Sequence, residues 1–163
     1  MSIAKPSRPA STIMLPIERV AQLRALAAAD GTTITETIER LINEQIAAGR
    51  LPDTLPGFDV IAAVGRVFLS VHDFTFPAMN PGEARQIAGL LEEFGTGKEG
   101  GKKARFSTGA EEIRFRISRK GRGVTISGED IQTARTVKAT MTAGMARDLA
   151  RIIRTEAAKA SKH

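Results

Sequence analysis

The chain has no cysteine, no tryptophan and no tyrosine, and only two histidines among its 163 residues. Without cysteine there is no disulfide framework, no thiolate metal site and no thiol nucleophile, a composition that fits a reducing cytoplasm. His72 and His163 are too few for a histidine-based metal site, and no cofactor is expected. All seven aromatics are phenylalanine. A stacking platform for unpaired bases is therefore limited to what Phe68, Phe74, Phe76 and Phe115 supply. No apolar run approaches the roughly 20 residues of a membrane-spanning helix. Nothing near the N-terminus has the basic-then-apolar order of a signal peptide. The expectation is a soluble, cytoplasmic protein without membrane contact.

Catalytic groups are equally scarce. The Gly95–Lys103 loop lacks the Gly-Lys-Ser/Thr ending of a phosphate-binding loop and follows a helix rather than a strand. Ser70, His72 and Asp73 are near neighbours on a strand-like segment, where alternation of faces keeps them from converging. The chain is not expected to be an enzyme.

What is present is positive charge, unevenly spread. Residues 1–50 carry a net charge of +1, residues 51–100 −4, and residues 101–163 +9, within a total of +6. A third of the chain this basic points to a polyanionic partner, with nucleic acid the leading candidate. Arg50-Leu51-Pro52-Asp53-Thr54-Leu55-Pro56-Gly57 reads as a linker, dividing the chain into domains at 1–50 and 58–163.

The first domain reads as one short strand and two short helices. Ser11–Leu15 is strand-like and is stopped by Pro16, which fits a first helical turn. Val20, Leu23, Leu26 and Ala27 line one helical face, and Gly31 sits where a left-handed C-terminal cap is wanted. Thr33-Ile34-Thr35-Glu36 is a capping box, followed by Ile38, Leu41, Ile42 and Ile46 at helical spacing. A lone strand and two three-turn helices cannot close a core, so the unit needs a second copy.

With Leu15-Pro16 at the junction, Gly31-Thr32-Thr33-Ile34-Thr35-Glu36 at the turn and Ile38, Leu41 and Ile42 beyond it, residues 10–49 resemble the ribbon-helix-helix family of Arc/MetJ-type prokaryotic DNA-binding proteins. The resemblance implies an intertwined homodimer whose two-stranded ribbon enters the major groove of double-stranded DNA. Carried over, Ala10, Thr12 and Met14 face DNA, Ile13 and Leu15 face the core, and the helix start at Thr33, Ile34 and Thr35 holds a phosphate. A capped helix start offers free N–H groups and the positive end of a dipole on its own account. The chain departs from the family's usual pattern in having only Thr12 polar on the outward ribbon, where Arg, Lys, Asn or Gln is common.

The second domain reads as a duplication. Met79–Leu91 matches Met141–Ile153 at a period of 62 residues, with Met, Gly, two Ala and Arg coinciding. Each copy opens on an N-cap residue, Asn80 or Thr142, and is preceded by strand-like sequence. The expected fold class is α+β: a ribbon-helix-helix unit, then a small domain of duplicated strand-strand-helix units. In the second copy, Ile113, Phe115 and Ile117 alternate with Arg114 and Arg116, and Arg119, Lys120 and Arg122 cluster at the turn beyond. Arg114 and Arg116 then stand on one face about 7 Å apart, a spacing suited to successive phosphates. The competing reading is a solvated face whose arginines pair with Glu111, Glu112 and Glu129.

Two functions are consistent with these features. The first is a dimeric, sequence-preferring DNA-binding protein, either a transcriptional repressor or a DNA-processing accessory of a plasmid or mobile element, located in prokaryotic cytoplasm on nucleoid or plasmid. The second is a dimeric interaction module, its N-terminal unit only dimerising and its C-terminal domain binding a protein partner. Homodimers or higher homo-oligomers are expected in both.

Overall fold

The structure, a computed structural model, describes residues 12–96, 103–106, 113–121 and 123–162. It is an α+β chain whose contacts divide it into two units, Met1–Glu44 and Gln45–His163. The division falls inside the second helix, before the Pro/Gly-rich segment. The last turn of that helix belongs to the second unit, because the backbone N–H and guanidinium of Arg50 both donate to Gln45.

The first unit holds α1 (Ile17–Ala29) and most of α2 (Ile34–Ala47). Pro16 precedes α1 and its carbonyl accepts from Arg19 and Val20. α1 ends in a Schellman motif: Thr32 N–H donates to Ala27 O at 2.8 Å and Gly31 N–H to Ala28 O at 3.2 Å. The motif needs a left-handed residue, and Gly31 supplies it at φ +63°. The capping box closes reciprocally, with Thr33 N–H on Glu36 Oε2 at 2.8 Å and Glu36 N–H on Thr33 Oγ1 at 3.2 Å. Only Ala27 and Thr37 of the two helices are buried. Thr12–Leu15, read as a strand from sequence, has no assigned strand or helix and no ladder partner among the described residues.

The second unit places three strands and a helix, then four strands and a helix, around one core. β1 (Phe58–Ala63), β2 (Arg66–Val71) and β3 (Phe74–Thr75) form an antiparallel sheet in order 1-2-3, followed by α3 (Pro81–Thr96). β4 (Lys103–Phe106), β5 (Ile113–Lys120), β6 (Gly123–Asp130) and β7 (Thr136–Met141) form a second antiparallel sheet in order 4-5-6-7, followed by α4 (Ala143–Ala160). Both helix starts carry the caps read from sequence. Asn80 and Glu83 exchange bonds at 2.8 and 2.9 Å, and Thr142 Oγ1 accepts from Met145 N–H at 3.1 Å.

Each helix packs mainly, though not only, against the sheet that does not precede it. α4 lies mainly on β1 and β2, where Glu156 accepts the edge N–H of Ala62 at 3.1 Å, while α3 packs on α4, β5 and β6. Ion pairs Arg154–Glu92 and Arg151–Asp53 fasten α4 to α3 and to the segment before β1. The buried residues of both sheets and both helices form a single cluster. Its aromatic seam runs Phe74–Phe76–Phe115, with ring centroids 5.1 and 4.5 Å apart.

Several sequence readings change here. Phe74, Phe76 and Phe115 are core residues at 5% exposure or less, so they give no stacking surface, and only Phe68 stays half-buried. Gly95 and Thr96 belong to α3 rather than to the loop. A Cβ on Gly95 would lie 2.9 Å from Ala143 O, so here the glycine allows close approach to α4 instead of breaking the helix. Lys103 begins β4, a strand the composition did not suggest. Arg119 and Lys120 end β5 instead of forming the turn, and Lys120 pairs with Gly123 across a two-residue connection. The strand read over Gln132–Thr140 starts only at Thr136, because the Asp130 carboxylate takes the amides of Gln132 and Thr133 in a turn. The Thr133 side chain first, and then these amide bonds, hold the Asp130 carboxyl below its ordinary range.

Candidate nucleic-acid interface

The second sheet has one face on the core and one in solvent, as the period-2 alternation of β5 requires. Phe115 and Ile117 are buried, Ile113 packs against the core, and Arg114 and Arg116 are exposed. The register extends this outward face across three strands. Arg114 stands opposite Glu129, which stands opposite Thr136. Arg116 stands opposite Ser127, and Ser127 opposite Lys138. Ser118 stands opposite Thr125, and Thr125 opposite Thr140. In the ladder on the other side, Arg105 is opposite Arg116.

The candidate cations differ in how free they are. Arg114 Nη1 lies 3.4 Å from Glu129 Oε2, both side chains at least half exposed. This is the cross-strand ion pair of the competing reading, and at such exposure it is weak and easily exchanged. Arg116 has no ion pair among the described residues. Arg119 turns back, its Nε donating to Gly121 O at 3.0 Å. Arg122 lies outside the described residues. Lys138, which the sequence reading did not single out, is exposed and without an ion pair among the described residues. It sits two strand spacings from Arg116, roughly 9–10 Å. Strand register, which sequence alone leaves open, is the signal that brings it there.

Between these cations the face is short and hydroxyl-bearing. Thr125, buried despite its place on these rows, pairs with Thr140 through their hydroxyls at 3.0 Å. Ser118 and Ser127 are half-buried and their hydroxyls have no partner among the described residues. Glu129 is the acid on the three rows.

The candidate residues of the first unit are distributed differently. Thr12 and Met14 are exposed, Met14 at 92%, while Ala10 lies outside the described residues. Thr33 and Thr35 are exposed and Ile34 half-buried at the start of α2. The Glu36 carboxylate folds onto that same helix end, adding a negative charge where the resemblance places a phosphate. Ile13 is 81% exposed, and Leu15, Leu26, Ile38, Leu41 and Ile42 are all more than a third exposed.

Elsewhere, Asp73 is engaged by Arg135 at 3.0 Å and Ser70 by Thr75 at 2.9 Å. No cluster of three or more histidines and carboxylates suited to a metal occurs among the described residues. No helix among them is long and apolar enough to cross a membrane.

No family model matches the chain, and no curated protein matches it. A crystal structure of a protein of unknown function from the DUF155 family of Prochlorococcus sp. NATL2A aligns with 63% of this chain and 94% of its own, at TM-score 0.34 and 9% identity. Likeness at that level carries no argument.

Proposed function

We propose that the chain is a homodimeric DNA-binding protein in which residues 10–49 form a ribbon-helix-helix unit and the second unit adds backbone contacts. It acts as a repressor or DNA-processing accessory of a prokaryotic nucleoid or plasmid. The observation that carries this reading is the apolar surface of the first unit. Ile38, Leu41 and Ile42 lie on one stripe of α2, each at 37–46% exposure, in a unit whose described residues bury only Ala27 and Thr37. A second copy supplies both the missing core and the missing strand partner for Thr12–Leu15. The matching order and caps of the two sheet–helix halves support a duplicated second domain, whose basic outer face lies on one half alone.

The test is sedimentation and gel-shift of the full chain and of Leu41→Asp. The wild type should be dimeric, and the variant should lose dimerisation and sequence preference, because an unpaired carboxylate in an apolar interface is strongly unfavourable. A wild-type chain that is a well-folded monomer at micromolar concentration would end this reading. The uncharged outward ribbon of Thr12 and Met14 favours the second reading, in which the unit only dimerises and a protein binds the C-terminal domain. Dimers that never shift duplex DNA at any salt would select it.

A further inference from the structure

We propose that the outward face of the β5–β6–β7 ladder is itself a binding site for the phosphodiester backbone of nucleic acid, built on Arg116 and Lys138 with the hydroxyls of Ser118 and Ser127, and weakened by Glu129. The site works without the N-terminal ribbon and rests on, and deepens, the backbone contacts proposed above for the second unit.

Three observations converge. Arg116 and Lys138 occupy the same cross-strand row, flank Ser127, and have no ion pair among the described residues. Two cations at this separation, with short side chains between them, let an anionic chain lie close to the sheet. Phosphate oxygens can then take hydroxyl donors as well as charge. Ser118 and Ser127 are the donors in place, with no partner of their own among the described residues. Lastly, Phe115 points into the core, and the three outward rows carry no aromatic ring on which a base would stack. A face of cations and hydroxyls without rings reads backbone, not bases, so binding here is independent of sequence.

Glu129 gives the site a second handle. It stands beside Arg114 in the adjacent register and holds its guanidinium at 3.4 Å. A phosphate approaching Arg116 meets this carboxylate as a repulsive neighbour and must compete with it for Arg114. Removing the charge at Glu129 therefore strengthens binding, the opposite of what removing a structural ion pair would do.

The experiment titrates the full-length chain with labelled random-sequence duplex DNA and with the single strand of the same sequence, across a range of salt. It compares wild type, R116Q/K138Q, E129Q and a control on the first sheet, D59N. R116Q/K138Q should bind both probes several-fold more weakly and flatten the log–log salt slope by roughly one to two units. E129Q should bind several-fold more tightly, and D59N should leave the slope unchanged. Loss in one arm only assigns the site to that form of nucleic acid. Unchanged affinity and slope in R116Q/K138Q, with circular dichroism intact, overturn the proposal. Equal competition by polyglutamate overturns its nucleic-acid identity. The outcome separates from that of the dimeric reading, because L41D abolishes the ribbon and leaves Arg116 and Lys138 in place. A slope that R116Q/K138Q flattens in the L41D background supports the site even where the dimer reading fails.

Discussion

The two sheets of the second unit share their interior and differ on their outer faces. Val67 pairs with Met79 and Val124 with Met141, and the β1–β2 and β5–β6 ladders run in step. Phe58 then corresponds to Phe115, Val60 to Ile117 and Leu69 to Ile126, all on the core side. On the solvent side Asp59 stands where Arg116 does, Ile61 where Ser118 does, and Thr75 where Lys138 does. Only Ser70 and Ser127 agree outside. Packing holds the inner positions to similar volumes, since interiors tolerate little change of shape. Nothing comparable restrains the outer ones. The contrast thus separates what the fold requires from what a partner requires, and it points to the second sheet's face.

The correspondence can be broken where it is strongest, in the core. Leu69 and Ile126 are both fully buried at equivalent positions. Leu69→Ala and Ile126→Ala should each cost about 2–5 kcal/mol, through lost burial and the cavity left behind. Urea melts should show losses of similar size in one cooperative transition. A large effect from one and none from the other would mean that the sheets do not share a core in the way the register indicates.

A smaller effect tests a place where the correspondence fails on the inside. Val71 corresponds to Gly128. A Cβ on Gly128 would lie 2.6 Å from Phe76 Cε1 and 2.8 Å from Phe74 Cε1. Gly128→Ala should therefore destabilise by about 1–3 kcal/mol, despite the better strand propensity of alanine. A melt unchanged or raised would show that the phenylalanine seam yields without strain.

The smallest effect concerns the ion pair between the two helices. Arg154, by hydrogen bond and charge, holds the Glu92 carboxyl below its ordinary range. Its folded pKa is depressed, so its contribution is present above the unfolded value and is lost as pH falls through the folded one. Glu92→Gln should lower the melting temperature slightly at neutral pH, and the difference should vanish in acid. A difference that persisted in acid would assign the effect to packing instead of charge.

Local chemistry made much of the fold legible. The caps at Thr33 and Asn80, the glycine after α1 and the alternation of Ile113–Ile117 are short-range patterns, and each stands in the structure. What was hidden depends on distant partners. β1 carries Ile61 on its solvent face and so shows no clean alternation. Gly95 reads as the start of a loop until Ala143 is placed against it. Lys138 joins the candidate site only through its register with Ser127 and Arg116, which no local pattern reveals. Phe74, Phe76 and Phe115 read as possible stacking residues by type alone and are core residues in the fold.

The exchange of helices between the sheets has a consequence for how the chain is made. β1 and β2 are among the first elements of their unit to leave a ribosome, yet α4, which covers them, is the last element of that unit among the described residues. During synthesis the first sheet must wait with Val67, Leu69 and Val71 uncovered, and such long-range closure is slow. The unit therefore closes its core only once α4 has emerged. Its most vulnerable moment comes while the polypeptide is still emerging, when a chaperone holding that apolar face would matter most.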